Sequence, residues 1–190
     1  MFAITERLLL RPGWSEDAPA LFAAITDESI VRNLAQAPWP YSFADAETFL
    51  MRERGPHDAA CLIFLREGGA PRLVGGTGFG PLPRQNGEAP GREFGYWIAR
   101  PYWGRGIATE AGAALIANAR DTLRLKRLDA GHFLDNPASG RVLQKLGFRP
   151  TGVTRSRYSA GRNAEAPCRE FALEFGEGDQ AAADPCAMAA

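Results

Sequence analysis

Trp103-Gly104-Arg105-Gly106-Ile107-Ala108-Thr109-Glu110 joins a stretch with strand character to one with helix character, and it places two glycines at the join. Behind it, residues 93–99 read as a strand stopped by Arg100-Pro101. Ahead of it, Ile107, Ala111, Leu115, Ala119 and Leu123 recur every four residues, the apolar stripe of a helix. A helix start has unpaired N–H groups and the positive end of the helix dipole. Glycines at 104 and 106 remove the Cβ atoms that would hold an anion away from those donors. Ala108 and Thr109 keep the first turn open, and Arg105 adds a cation for a charge-assisted contact. The segment reads as a phosphate cradle, with a tight strand-to-helix turn as the plainer alternative. The dinucleotide motif requires a third glycine near Thr109 and the Walker motif requires Gly-Lys-Ser/Thr; both are missing.

Outward from the loop, the spacing of apolar and turn-forming residues predicts the other elements. Residues 7–11 are a short apolar run closed by Pro12-Gly13, a first strand. Ser15 is placed to cap a helix carrying Ala18, Leu21, Phe22 and Ile25. Ser42 and Asp45 have capping-box spacing ahead of a second helix with Phe49 and Leu50. Strands are expected over 60–65 and 72–79, and a Pro- and Gly-rich loop over 81–91. After the central helix come a strand over 128–134, a helix over 137–146 closed by Gly147, and strands over 152–158 and 168–175. Three consecutive strands before the central helix imply an α+β fold with a mixed, mainly antiparallel sheet of about seven strands and about four flanking helices. One domain is expected over 1–176, with the small, polar segment 177–190 a disordered tail.

Composition narrows the classes of function. A chain of 190 residues with 45% hydrophobic residues can build one substantial core. Its 22 basic and 22 acidic side chains cancel, which argues against a protein held by nucleic-acid phosphates. Arg155, Arg157 and Arg162 are either a local anion site or a solvated charged surface. Cys61, Cys168 and Cys186 are widely spaced and odd in number, which fits a reducing compartment and no disulfide framework. With only His57 and His132, a His-rich metal site is excluded, and His132 reads as a structural residue of a strand. No apolar run approaches the ~20 residues of a membrane span, and the N-terminus lacks a signal-peptide layout. The expectation is a soluble, cytoplasmic monomer or homodimer with no metal, nucleic-acid or membrane partner.

A second segment adds to the loop. Asp135-Asn136-Pro137-Ala138-Ser139 opens the next helix, which ends Lys145-Leu146-Gly147-Phe148. With residues 102–111, this resembles the GNAT superfamily of N-acetyltransferases, and most closely the branch of the RimJ/RimL ribosomal-protein acetylating enzymes. The resemblance spans about residues 5–175. It implies a GNAT-like fold and acetyl-CoA, or another acyl-CoA, as co-substrate. The pyrophosphate would sit against Gly104 and Gly106 on the amides of Arg105, Ile107, Ala108 and Thr109. The pantetheine arm would lie between strands 93–100 and 128–134, pairing with backbone near Ile98 and Arg100. Asn136 and Ser139 fall on the family's second cofactor-contact segment, although Asn136 followed by Pro137 also reads as a plain helix cap.

Acyl transfer to an amine requires a deprotonated amine, a held carbonyl, donors for the oxyanion and a proton for the leaving thiolate. Glu93 stands where some superfamily members carry a catalytic glutamate, which makes it the base candidate; it also reads as a solvated strand-end charge. Ser139 resembles the serine that protonates the thiolate in the RimL-like branch, with capping or cofactor contact as its alternatives. Backbone N–H groups near Ile98 are the expected oxyanion donors. Trp103 replaces the common Gln or Arg, Leu143 the tyrosine acid of many members, and Thr151 the glutamate base of RimL-like relatives, which places more weight on Glu93. Trp39, Tyr41 and Phe43 are expected to wall the acceptor site, and Tyr158 and Arg157 to reach its pocket, with core or edge packing as the alternative. The implied activity is acetyl transfer from acetyl-CoA to a primary amine, a protein N-terminus or small molecule, by direct attack in a ternary complex. Loss of the Tyr and Glu positions supports the competing reading, a non-catalytic acyl-CoA-binding domain.

Overall fold

In the computed structural model, which describes residues 1–82 and 91–176, side-chain alternation along each strand builds two hydrophobic layers, one on each face of a single sheet. The chain order is β1 (Ala3–Ile4), β2 (Leu8–Arg11), α1 (Ala18–Ile25), α2 (Glu28–Val31), α3 (Phe43–Met51), β3 (Ala59–Leu65), β4 (Arg72–Leu82), β5 (Gly91–Ile98), α4 (Ile107–Asp121), β6 (Arg127–Phe133), α5 (Pro137–Lys145), β7 (Arg149–Ser159) and β8 (Ala164–Glu174). The sheet order is β1-β2-β3-β4-β5-β6-β8-β7. Every neighbouring pair is antiparallel except β5 and β6, which are parallel and joined through α4. The expected tail over 177–190 and most of the expected loop over 81–91 lie outside the described residues; Pro81 and Leu82 end β4 and Gly91 begins β5.

Eight strands and five α-helices among the described residues exceed the expected seven and four. The additions are β1, of two residues, and α2, of four, both too short to show a hydrophobic period. Cys61, Ile63 and Leu65 of β3 join the larger core with Ile107, Ala111 and Leu115 of α4 and Leu143 of α5. The alternate residues Leu62 and Phe64 join a second core with Leu21 and Ile25 of α1 and Ala46 of α3. On β5, Phe94 and Ile98 belong to the first core and Trp97 packs on the second.

Two of the expected helix caps differ in outcome. Ser42 and Asp45 form the expected capping box, with Asp45 N–H on Ser42 Oγ (3.2 Å) and Ser42 N–H on Asp45 Oδ2 (2.8 Å). Ser15 caps nothing: its hydroxyl turns to Glu16, and a short 3-10 turn, Ser15–Asp17, precedes α1. Asp17 instead takes the Trp14 N–H (2.8 Å) and a bidentate bond from Arg11 at 2.7 Å to each oxygen. Burial alone would raise the Asp17 carboxyl, but these partners outweigh it and hold it low.

Candidate active site

Both loop glycines are in the left-handed region, Gly104 at φ 75° and Gly106 at φ 76°. A Cβ at 104 would meet nothing within 4 Å, and one at 106 only Arg7 Nη2 at 3.7 Å, so conformation and open approach, not packing, favour glycine here. Gly106 caps α4, and the first helical bond runs from Glu110 N–H to the Gly106 carbonyl (3.1 Å). The N–H groups of Ile107, Ala108 and Thr109 therefore precede the helical ladder.

Side chains from several elements brace this turn. Trp103 donates its indole N–H to the Ile98 carbonyl (2.6 Å), tying the loop to the end of β5. Arg7 Nη1 holds the Arg105 carbonyl (3.0 Å), and its guanidinium pairs with Glu110 at 2.6 Å. Arg105 itself pairs with Glu67 at 2.8 Å and lies over the Tyr102 ring, so an arriving phosphate would compete with Glu67 for it. Glu110 also accepts from the Thr5 hydroxyl (2.5 Å) and the Arg7 N–H (3.0 Å). Burial pushes the Glu110 carboxyl up, but these donors together bring it below the ordinary value.

A carboxyl lowered in the folded state contributes stability that is present above its unfolded pKa of about 4.3. That contribution is lost as pH falls through the folded value. We expect Glu110→Gln to cost about 1–2 kcal/mol near neutral pH. In melting curves taken against pH, the gap from wild type should close as pH falls below about 4.

Beyond the loop, β5 and β6 pair only at Glu93–Asp129 and Phe94–Ala130 and then part. Ala99 donates its N–H to Val74 on β4 (2.8 Å), so by alternation the N–H and C=O of Tyr96 and Ile98 point away from β4 into the gap. A cleft opens there, lined by Glu93, Tyr96, His132, Ser139, Leu143 and Arg157 among others. It reaches both faces of the sheet. On one side, Arg157 of β7 grips both carboxylate oxygens of Glu93, with Nη2 2.6 Å from Oε2. That bonding raises the guanidinium's pKa further, and it stays charged. On the other side, the Tyr96 hydroxyl donates to Ser139 Oγ (3.0 Å), and Asn136 Oδ1 caps α5 by accepting the Ser139 N–H (3.3 Å).

An α4 start framed by two left-handed glycines, set beside a parted parallel pair, agrees with the sequence match: the acetyltransferase (GNAT) domain family matches residues 7–149. The chain belongs to the GNAT acetyltransferase family. It is 30% identical over 162 residues to the uncharacterized N-acetyltransferase YoaA of Bacillus subtilis (strain 168), across 82% of this chain and 88% of that protein. A GNAT-family acetyltransferase from Bacillus anthracis superposes with TM-score 0.72 at 25% identity, over 92% of this chain and 98% of that one. The fold is also that of RimL, a ribosomal L7/L12 α-N-protein acetyltransferase solved with coenzyme A (TM-score 0.73, 20% identity, 97% and 100% covered). The chain is thus an acetyltransferase with a RimL-like structural neighbour.

Within this GNAT domain, the residues singled out from sequence fall into three groups. Gly104, Arg105, Gly106, Ile107, Ala108 and Thr109 form the loop and first turn of α4. Glu93, Asn136 and Ser139 line the cleft, while the Ile98 carbonyl is engaged by Trp103 and Arg100 lies in a 3-10 turn near Asp27 (3.8 Å). Trp39, Tyr41 and Tyr158 are not among the cleft's lining residues. Tyr41 is buried in the second core, which pushes its phenol up to about 12, and Tyr158 is exposed and bonds Asn163 (2.8 Å). Trp39 is 37% exposed, and Phe43 packs edge-on against Phe22. Arg157 and Tyr158 are consecutive strand residues on opposite faces, so only one of them can face the cleft.

Reading the sequence missed Tyr96 and the wall formed by Asn33, Leu34 and Ala35 after α2. That wall is held by the turn between β7 and β8. Ala160 N–H binds the Ala35 carbonyl (2.9 Å), Ser159 Oγ the Leu34 carbonyl (2.7 Å) and Arg162 Nε the Arg32 carbonyl (2.6 Å). Arg162 also clamps Asp135 (2.7 Å), and Arg155 pairs with Glu170 (3.1 Å). With Arg157 on Glu93, all three arginines of the suspected anion site are engaged by carboxylates. His132 is buried between Gly140 of α5 and Phe171, its Nδ1–H on the Phe133 carbonyl (2.9 Å), in keeping with a structural role.

Proposed function

We propose that this GNAT domain transfers an acetyl group from acetyl-CoA to a primary amine, a protein N-terminus or a small molecule, by direct attack within a ternary complex. The observation that carries the reading is the juxtaposition of two left-handed, unobstructed glycines at the start of α4 with the gap where β5 and β6 part. The N–H groups of Ile107, Ala108 and Thr109 suit a pyrophosphate, with the helix dipole behind them. The gap-facing backbone of Tyr96 and the Ile98 N–H suit the amides of an extended arm, as a strand edge takes a peptide. The Ile98 carbonyl already accepts the Trp103 indole N–H with one of its two lone pairs. Acetyl-CoA supplies an acyl group activated as a thioester. Asn136 holds the α5 N-terminus in place beside it.

Glu93 and Ser139 divide the proton chemistry in this reading. Glu93, gripped on both oxygens by Arg157, takes the proton from the acceptor ammonium, directly or through water. Ser139 presents its hydroxyl proton to the departing sulfur. The acceptor enters on the Glu93 side, past residues 33–35. The free, buried thiols of Cys61 and Cys168 accord with a cytoplasmic protein, acting as monomer or homodimer, and no helix among the described residues is long and apolar enough to cross a membrane.

Assay of thiol release from acetyl-CoA against a panel of amines, with mass detection of the acetylated product, tests this. Release that requires both substrates is expected. Tight acetyl-CoA binding with transfer to no amine would overturn it and favour the binding-domain alternative.

A further inference from the structure

We propose that Tyr96 is a positioning residue that turns the Ser139 hydroxyl proton into the cleft, an inference that rests on the acetyl-transfer reading above. Tyr96 projects from β5 on the face that packs under α4 and α5, and its ring lies against Phe94 at 6.1 Å between centroids. Ser139 sits in the first turn of α5, across the cleft. The phenol donates to Ser139 Oγ at 3.0 Å.

A serine hydroxyl carries one proton and two acceptor lone pairs. A phenol is the stronger acid of the pair, and an aliphatic hydroxyl the better acceptor. With one lone pair occupied by the Tyr96 proton, the Ser139 proton must point elsewhere. Ser139 Oγ donates to no other group among the described residues, which leaves the cleft as the direction available to its proton. Burial pushes the Tyr96 phenol up, outweighing the lowering effect of the Ser139 bond, so the phenol keeps a proton to donate in the neutral range. Leu143, one turn further along α5 and lining the same cleft, offers no competing acceptor.

No proton need leave Tyr96 during turnover. In the step it serves, the amine nitrogen has bonded to the acyl carbon, the carbon–sulfur bond breaks as the carbonyl re-forms, the sulfur takes the electron pair, and Ser139 passes its proton to that sulfur. The attacking nitrogen gives up two protons, one to Glu93 before attack and one to solvent after it, and Ser139 recovers a proton from solvent as it gives its own to sulfur. Tyr96 acts only by fixing which way the Ser139 proton points.

A double-mutant cycle tests this, with kcat and KM for acetyl-CoA and amine measured for wild type, Tyr96→Phe, Ser139→Ala and the pair. Tyr96→Phe keeps the ring and should melt close to wild type. It should lower kcat roughly tenfold with both KM values within about twofold of wild type. In the Ser139→Ala background, Tyr96→Phe should have no further effect on kcat. Additive losses, a change confined to KM, or an unchanged kcat in the single variant would overturn the role of Tyr96 while leaving acetyl transfer intact. Failure of wild type to turn over any amine would overturn both.

Discussion

Gly106→Val is expected to weaken coenzyme A binding by about a hundredfold or more, close to 2.7 kcal/mol, while the protein still folds. At φ 76° the position is left-handed, and a built Cβ touches nothing nearer than Arg7 Nη2 at 3.7 Å. The side chain would project into the space in front of the α4 amides, where a pyrophosphate would have to approach. Folding would still suffer, because an L-residue in that region costs about 1–2 kcal/mol. Gly152→Val separates the two effects. Gly152 has φ 84°, and its built Cβ has no neighbour within 4 Å, but it lies at the start of β7, away from the loop. That variant should lose comparable stability and keep its affinity, as read by melting and calorimetric titration. Undiminished affinity in Gly106→Val would remove the cradle from the description of this protein.

The second large effect is expected at Glu93. Glu93→Gln should lower turnover by about 10²–10⁴ if the carboxylate receives the amine's proton. It also strips Arg157 of its counter-ion, at side-chain exposures of 33% for Arg157 and 23% for Glu93, which should cost about 1–3 kcal/mol of stability. A loss of activity alone would therefore be ambiguous. Replacing both partners, as Glu93→Gln with Arg157→Met, removes the unpaired charge and should recover most of the stability. Turnover in the double variant should stay low. Recovery of turnover with stability would reduce Glu93 to an anchor for Arg157.

What the sequence disclosed followed the range of each signal. The apolar stripe from Ile107 to Ala119 and the two glycines before it are local, and α4 with its left-handed cap appears where they placed it. Asn136 before Pro137 named the α5 cap for the same reason. Short elements escaped, since the four residues of α2 complete barely one turn. Long-range pairings escaped for a different cause. Arg157 and Glu93 are 64 positions apart, and Tyr96 and Ser139 are 43 apart; nothing in either local segment announces the partner. The aromatic residues near the Pro38-Trp39-Pro40 break show the ambiguity of apolar side chains. Tyr41 serves the second core, as its burial demands, and no local pattern distinguishes that from a pocket wall. Arginine clusters mislead similarly, because Arg155, Arg157 and Arg162 each meet a carboxylate supplied by another element.

The seat of coenzyme A is the central claim, and backbone amide shifts in a nuclear magnetic resonance titration with coenzyme A test it most directly. The amides of Arg105, Gly106, Ile107, Ala108 and Thr109 at the α4 start, and those of Tyr96 and Ile98 facing the gap, should move together and saturate at one affinity. Saturable shifts elsewhere in the domain, with these amides unmoved, would contradict it.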